Sequence, residues 1–249
     1  MLRGAPGARA TICGFVGFMH GGDYWRLSHL YVDGTCSTQN TVQVYANHAT
    51  LDHLDITNRH RAQSCVMLGT PGDGRARYTI LQHNRIHDCG RSDSHFYHGI
   101  YANSARDARV SDNYVYANAG FGIHLYPDAQ RTVVERNVVD GNFNESGLVF
   151  AGTGSSASSD NRVRRNIFSG NGAYGVAASW GGAVGHGNVV GANCFWGNAQ
   201  GALPITHPGF EVGQNLDIAP AFVGSTVRDY RLRRGSRCRP MEPRGHVGP

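Results

Sequence analysis

The chain has 249 residues, of which 40% are hydrophobic and 16% are charged, and its 23 basic and 18 acidic side chains leave a net charge of +5. This length can bury the core of one large domain. However, no stretch approaches the ~20 consecutive apolar residues of a membrane span, and the charge is too sparse for a coiled coil. The positive balance favours an anionic partner but is too weak to indicate nucleic acid, and without an apolar span we expect no membrane insertion.

Turn-forming residues dominate the composition. The 34 glycines are roughly twice the usual ~7% share, which indicates many tight turns rather than long helices. All 23 basic residues are Arg, so chemistry that needs a Lys side chain is excluded. The first predicted element is a strand at 12–16. Residues 1–22 only weakly resemble a signal peptide, and we expect them to form an incomplete first coil or cap.

A degenerate repeat begins near residue 27. Each copy reads apolar, two polar residues, Asn, any residue, apolar, as at 81–86 and 110–115. Two early copies carry Leu in the Asn position. The anchors are Leu30, Leu54, Asn84, Asn113, Asn137, Asn166 and Asn193. Between them lie segments that read Gly-apolar-x-apolar, such as 99–102 and 122–125.

Short strands that return every 24 to 30 residues, with no helical pattern between them, predict an all-β solenoid. We expect about seven to eight coils of three short strands in a single domain over 1–240. Residues 200–240 would form the closing coil and C-terminal cap, and 241–249 a loose tail. The five Asn anchors would point inward at a corner and hydrogen-bond from coil to coil.

Several stretches resemble the right-handed parallel β-helix, pectate-lyase-like superfamily. They are Asn-Arg-Ile-His-Asp-Cys-Gly at 84–90, His-Gly-Ile-Tyr at 98–101, Gly-Ile-His-Leu-Tyr-Pro-Asp-Ala at 122–129, Ser-Ser-Asp-Asn at 158–161 and Asp-Tyr-Arg-Leu-Arg-Arg-Gly-Ser at 229–236. The resemblance covers about 23–238, and the central part resembles actinobacterial β-helix repeat proteins of undefined activity. It implies a right-handed β-helix in which the Gly-apolar strands line a substrate cleft.

On those strands, outward residues of neighbouring coils become lateral neighbours. The predicted patch sets Tyr101 beside His124 and Asn103 beside Tyr126. The candidate catalytic residues are His124 as proton acceptor, Tyr126 and Tyr101 as proton donors, Asp128 to orient His124, and His98. The candidate substrate-binding residues, which include guanidiniums for uronate carboxylates, are Asn103, Arg106, Arg75, Arg77, Arg91 and Glu145.

Three functions remain open on this evidence. The first is a secreted polysaccharide lyase or C5-epimerase acting on a uronate-containing polysaccharide. The second is a non-catalytic glycan-binding or cell-surface solenoid. The third is a glycoside hydrolase that uses Asp128 and Glu145 as its two carboxylic acids. A groove in which Asp128 orients His124 would favour an enzyme, whereas side chains packed on one another would favour a binding protein.

Two further columns carry polar side chains. The residues before the anchors are His29, His53, His83, Asp112, Arg136 and Arg165, which predict a solvent-facing ladder. We expect no metal site there, because His residues ~5 Å apart on parallel strands rarely converge on one ion. The column His87, Tyr116 and Asp140 is the second-ranked site. Calcium at Asp73, Asp128 or Glu145 has no supporting motif, so no cofactor is expected.

The six cysteines contain no C-x-x-C pair, which argues against zinc. Buried free thiols are one interpretation, and disulfides in an oxidising compartment are the other. For disulfides, we expect Cys13–Cys36 and Cys65–Cys89, which are each about one repeat apart, and Cys194–Cys238, which would join the cap to the last coil. With these bonds we expect a protein that is secreted or attached to the cell surface. We also expect it to be a monomer.

Overall fold

The computed structural model describes residues 1–178, 182–206 and 208–249. It is an all-β, right-handed parallel solenoid of about eight turns, which confirms the architecture predicted from the repeat. Each central turn contributes three short strands. Among the described residues, none forms a helix that is long and apolar enough to cross a membrane.

The strands are short, and three brief 3₁₀ turns at Gly34–Cys36, Ser225–Val227 and Arg239–Met241 interrupt them. The first half contains β1 (Leu2–Arg3), β2 (Thr11–Cys13), β3 (Val16–Phe18), β4 (Arg26–Asp33), β5 (Val42–Val44), β6 (Thr50–Thr57), β7 (Val66–Leu68), β8 (Ala76–Arg77), β9 (Ile80–Gln82), β10 (Arg85–His87), β11 (Ile100–Arg106), β12 (Arg109–Ser111) and β13 (Tyr114–Tyr116). The second half contains β14 (Ile123–Gln130), β15 (Val133–Glu135), β16 (Val138–Asp140), β17 (Leu148–Phe150), β18 (Arg162–Arg164), β19 (Ile167–Ser169), β20 (Val176–Ala178), β21 (Asn188–Gly191), β22 (Cys194–Trp196), β23 (Phe210–Val212), β24 (Leu216–Asp217), β25 (Phe222–Gly224) and β26 (Asp229–Leu232).

Two parallel sheets form the walls of the solenoid. A 16-stranded sheet bends around one corner, and the other sheet contains eight strands. The latter, called here the eight-stranded sheet, runs in the order β20, β17, β14, β11, β7, β5, β3, with β8 also paired to β11. β25 and β26 form an antiparallel hairpin at the C-terminal end.

The core is a stack of aliphatic side chains at equal height in successive coils. Ile100 pairs with Ile123, Ile123 with Leu148, and Leu148 with Val176, and all four are fully buried. Burying one such side chain stabilises the fold by about 1.5–3 kcal/mol. Because the alternate residues of these strands face outward, the same register aligns the side chains of the candidate site.

The corner of the 16-stranded sheet is made by a left-handed residue in each coil. The residues before the seven anchors have φ between +51° and +58°; they are His29, His53, His83, Asp112, Arg136, Arg165 and Ala192. Each anchor then points into the core. The Asn ladder is confirmed, since Asn84 Nδ2 donates to Asn113 Oδ1, and Asn113 Nδ2 to Asn137 Oδ1, both at 2.9 Å. Asn137, Asn166 and Asn193 continue it.

All six cysteines are paired. The bonds are Cys13–Cys36, Cys65–Cys89 and Cys194–Cys238, which confirms the three predicted pairs and excludes the free-thiol interpretation. The first two close loops of 23 and 24 residues, about one coil each. The third ties the C-terminal cap to β22. Such bonds are typical of proteins that fold in an oxidising compartment.

The last nine residues are not a loose tail. Met241 and Val247 are buried, the Arg244 N–H donates to Asp112 Oδ1 at 2.9 Å, and the Gly248 N–H donates to the His83 carbonyl at 2.8 Å. This segment therefore crosses the corner column, so the predicted solvent-facing ladder is also wrong at Asp112 and Arg136, which are buried and ion-paired at 2.9 Å. The segment has no periodic pattern, and nothing in its sequence points to these partners.

Candidate functional site

The outward column of the eight-stranded sheet has the predicted register. Its successive lateral neighbours are Gln43, Met67, Tyr101, His124, Val149 and Ala177. Tyr101 and His124 lie side by side, with ring centroids 5.1 Å apart and planes inclined by 14°. Stacking adds to the burial of these rings, so the column is a packed cluster and not a row of separate side chains.

A β-bulge distorts the predicted two-by-two patch. Ala102 pairs with Leu125, but Ser104 pairs with Asp128, so Asn103 alone lies opposite Tyr126 and Pro127. Pro127 has no N–H for the ladder, which accounts for the interruption at this point. Tyr126 then stacks on His124 at 5.1 Å and on Tyr101 at 6.4 Å. We call Tyr101, His124 and Tyr126 the aromatic cluster.

His124 of the aromatic cluster forms a buried pair with the imidazole of His98. His124 is 1% exposed and His98 is 2% exposed. The Phe121 backbone N–H donates to His98 Nδ1 at 3.2 Å, so the His98 proton is on Nε2, and Nε2 donates to His124 Nδ1 at 2.8 Å. The proton of neutral His124 is therefore on Nε2.

This arrangement does not fit the predicted role of His124 as a proton acceptor near neutral pH. Burial, reinforced by His98, lowers the pKa of His124 well below its usual value, and burial lowers the pKa of His98 to about 3. Burial likewise raises the pKa of Tyr101. At neutral pH these three groups are uncharged hydrogen-bond donors.

We expect neither buried imidazole to take up a proton between pH 8 and pH 5. An exposed imidazole titrates near 6.5, whereas charging either ring here would place an unpaired cation inside the protein. Ring-nitrogen NMR shifts of His98 and His124, followed through this range, should stay constant. Free imidazole in the same buffer serves as the reference ring. A midpoint above pH 5 for either buried ring would show that burial does not hold that ring neutral.

Among the described residues, the hydrogen bonds of Asp128 are to Arg75 and Gln130 and not to His124. Its Oδ2 accepts from Arg75 Nε at 2.8 Å and also from Arg75 Nη2, and its Oδ1 accepts from Gln130 Nε2 at 2.9 Å. The predicted orienting role is therefore not formed. Arg75, predicted to bind substrate, already has a carboxylate partner.

Two other predicted substrate-binding residues form an unneutralised cationic pair. Arg77 and Arg106 lie side by side on β8 and β11, and the preceding residues Ala76 and Ala105 face the core. Among the described residues, neither guanidinium takes part in an ion pair, and Arg106 Nε is buried without a hydrogen-bond partner. Like charges directly opposite one another are unfavourable, so the pair is suited to an anion.

The hydrolase pair is not brought together. Leu148 pairs with Ile123, so Glu145 precedes one end of β14, whereas Asp128 lies five residues beyond Ile123 at the other end. That offset is roughly 16 Å or more along the strands, beyond the ~6.5–9.5 Å of an inverting pair. Burial raises the pKa of Glu145, partly offset by His95. Arg91, another predicted substrate-binding residue, is paired with Asp93 at 2.7 Å.

The second-ranked column is divided between two environments. His87 stacks on Tyr116 at 4.8 Å and faces a cavity of about 490 Å³. His87 Nε2 lies 2.9 Å from Asp55 and Nδ1 2.6 Å from Asp88. Asp140 instead accepts from the Tyr230 hydroxyl of the C-terminal hairpin at 2.9 Å. His87 and Asp140 are therefore held by different partners. Asp55 and Asp88 are partners that sequence reasoning missed, although Asp88 directly follows His87.

The three calcium candidates do not converge. Asp73 accepts from Thr70 Oγ1 at 2.7 Å and from the Tyr45 hydroxyl at 3.4 Å, and Asp128 is held by Arg75. Glu145 lies at the opposite edge of the sheet. The three carboxylates therefore have different partners and do not face a common point.

Comparisons with known proteins agree with this architecture. A family model described as "Right handed beta helix region" matches residues 40–216. Pectate lyase Pel9A is similar in structure, with a TM-score of 0.65, 15% identity, and coverage of 92% of this chain and 71% of that chain. The Dettilon tailspike protein gp208 has a TM-score of 0.51 and 14% identity, with coverage of 89% and 52%. No curated protein matches. At these identities the structural likeness concerns the fold, and the family match over most of the chain places this protein in the right-handed β-helix family.

Proposed function

We propose that this protein binds an acidic, uronate-containing polysaccharide along the outer face of the eight-stranded sheet. The observation that carries the proposal is the pair of outward guanidiniums at Arg77 and Arg106, which lacks a carboxylate partner among the described residues. Guanidiniums bind carboxylates through paired donors, and two adjacent ones match a repeated carboxylate better than a neutral sugar.

The distance between the two parts of this face favours a polymer. Tyr101 lies near one end of the seven-residue strand β11 and Arg106 at the other end, at most about 16 Å apart. A ligand that contacts both the aromatic cluster and the cationic pair must therefore span several sugar units. Similarity to a pectate lyase supports a polysaccharide ligand. The three disulfides support a secreted or cell-surface location.

Elimination or C5-epimerisation of the bound uronate is the second candidate function. The observation that favours it is the Tyr101 phenol, which is partly exposed on this face and keeps its proton because burial raises its pKa. Such a donor stabilises negative charge that develops on the substrate carboxylate after proton removal. Binding is the function the geometry supports better, because the rings pack on one another and Asp128 is paired with Arg75.

Replacing either cation should weaken polysaccharide binding. We expect Arg77→Gln and Arg106→Gln each to raise the Kd for pectate or alginate oligomers about tenfold, since a charge-assisted hydrogen bond contributes about 1.5–3 kcal/mol. Arg162→Gln is the matched control, because Arg162 is an exposed Arg of the other sheet. Isothermal titration calorimetry at two salt concentrations measures the Kd of the two variants and of the control. An equal loss in the control, or equal affinity for a neutral glycan, would contradict the proposal.

Catalysis is tested separately. The protein is incubated with pectate, alginate, hyaluronan and chondroitin while unsaturated-uronate absorbance and solvent-proton exchange at C5 are followed. Turnover that falls at least about tenfold in Tyr101→Phe, with Kd unchanged, would support a lyase or epimerase. Binding with neither signal would leave a glycan-binding protein.

A further inference from the structure

A cluster of metal-ligating side chains lies at the corner of the 16-stranded sheet, away from the glycan face. The sequence predicts that stacked His residues in this column do not converge, and for His29 this remains so. His53 and His83 differ, because both turn Nδ1 toward the same oxygen of Asp52. The distances to Asp52 Oδ1 are 2.8 Å from His53 and 3.1 Å from His83. Among the described residues, these three groups place their ligand atoms within 4.8 Å of one another.

The backbone holds this cluster in place. His53 and His83 occupy equivalent left-handed corner positions, with φ of +51° and +56°, and their rings stack at 4.6 Å. Asp52 is 1% exposed, and the His83 carbonyl accepts from the N–H of Gly248 in the C-terminal segment. The three side chains are therefore held close together before an ion arrives, which lowers the ordering cost of binding.

We propose that Asp52, His53 and His83 bind one divalent transition-metal ion of the zinc class. Two imidazoles and one carboxylate suit Zn²⁺, Co²⁺ or Ni²⁺ better than Ca²⁺ or Mg²⁺. Tetrahedral ligands at ~2.1 Å from an ion lie roughly 3.4 Å from each other, so each imidazole nitrogen needs to move only about 0.3–0.6 Å away from Asp52 Oδ1. The imidazoles are about one-fifth exposed, so water can complete the coordination.

Binding of the ion moves the proton of each imidazole from one ring nitrogen to the other and releases no proton. In the free protein both Nδ1 atoms donate to the carboxylate. When the ion binds at Nδ1, each ring carries its proton on Nε2 and stays neutral. Arg26 contacts the other oxygen, Oδ2, and leaves Oδ1 for the ion, while the Gln82 amide at 3.2 Å from Oδ1 must give way.

The test uses the full chain with Co²⁺ and Zn²⁺ as probes. We expect one Co²⁺ per chain, seen as visible d–d absorption, and competition by Zn²⁺ but not by Ca²⁺. His53→Gln and His83→Gln should each weaken binding at least about 100-fold, because loss of a direct ligand exceeds the 10–100-fold effect of losing a supporting group. Circular-dichroism melting verifies that each variant is folded.

His29→Gln is the matched control. Its ring stacks on the other side of His53 at 4.8 Å but lies outside the group of converging ligands, so its Kd for Co²⁺ should stay within about threefold of that of the unaltered protein. The proposal is overturned if no saturable site appears, if both folded variants bind as tightly as the unaltered chain, or if His29→Gln loses as much affinity as they do.

Discussion

Asn137→Ala should lower the free energy of unfolding by about 3–5 kcal/mol. Asn137 is fully buried, and its Nδ2 donates to the Val110 carbonyl and to Asn166 Oδ1, both at 2.9 Å. Its Oδ1 accepts from the N–H and the Nδ2 of Asn113 at 3.0 and 2.9 Å. Alanine leaves these groups unpaired in the core, where each costs about 1–3 kcal/mol, and the lost volume adds a cavity.

Urea unfolding followed by far-UV circular dichroism measures this loss. Asn144→Ala is the control, because Asn144 is an exposed Asn of the following loop, and its removal should change stability by less than about 0.5 kcal/mol. The ladder would be energetically unimportant if the two variants unfolded within about 1 kcal/mol of each other.

Periodic features of the sequence predict periodic features of the fold. The Asn anchors, the outward column from Gln43 to Ala177 and the first two disulfides all follow from residues that recur once per coil, because stacking places equivalent positions side by side. The left-handed corner residues escaped prediction for the opposite reason. Their types vary from His to Asp, Arg and Ala, so no single residue marks the conformation.

The chemistry of the site depends on contacts that the repeat does not encode. Arg75 and Asp128 are 53 residues apart, and Arg244 and Asp112 are 132 apart, so neither pairing has a local signal. His124 has the predicted position, but Phe121, His98 and the two Tyr rings enclose it. Burial, which alternation alone did not predict, removes its capacity to act as a base near neutrality.

Raising the pH from 6.5 to above 9 should destabilise the protein by about 3 kcal/mol through His87. Burial by itself would lower the pKa of His87, but the hydrogen bonds and charges of Asp55 and Asp88 outweigh it and raise the pKa to about 9. Because this value exceeds the ~6.5 of the unfolded chain, the stabilisation is fully present below pH 6.5. It is lost as the pH rises through 9, where the folded protein releases the proton.

His87→Gln should therefore flatten the stability profile between pH 6.5 and 9, as measured by urea unfolding at several pH values. His60, whose pKa the Asp88 carboxylate raises despite burial, contributes a smaller part of the same slope, so the variant keeps a residual decline. His186→Gln is the control, because this side chain is 85% exposed and should leave the profile unchanged. An equally steep decline in His87→Gln would mean that the imidazolium between Asp55 and Asp88 does not stabilise the folded state. In that case the Asp55 and Asp88 carboxylates, which line the 490 Å³ cavity, would have no charged imidazole between them.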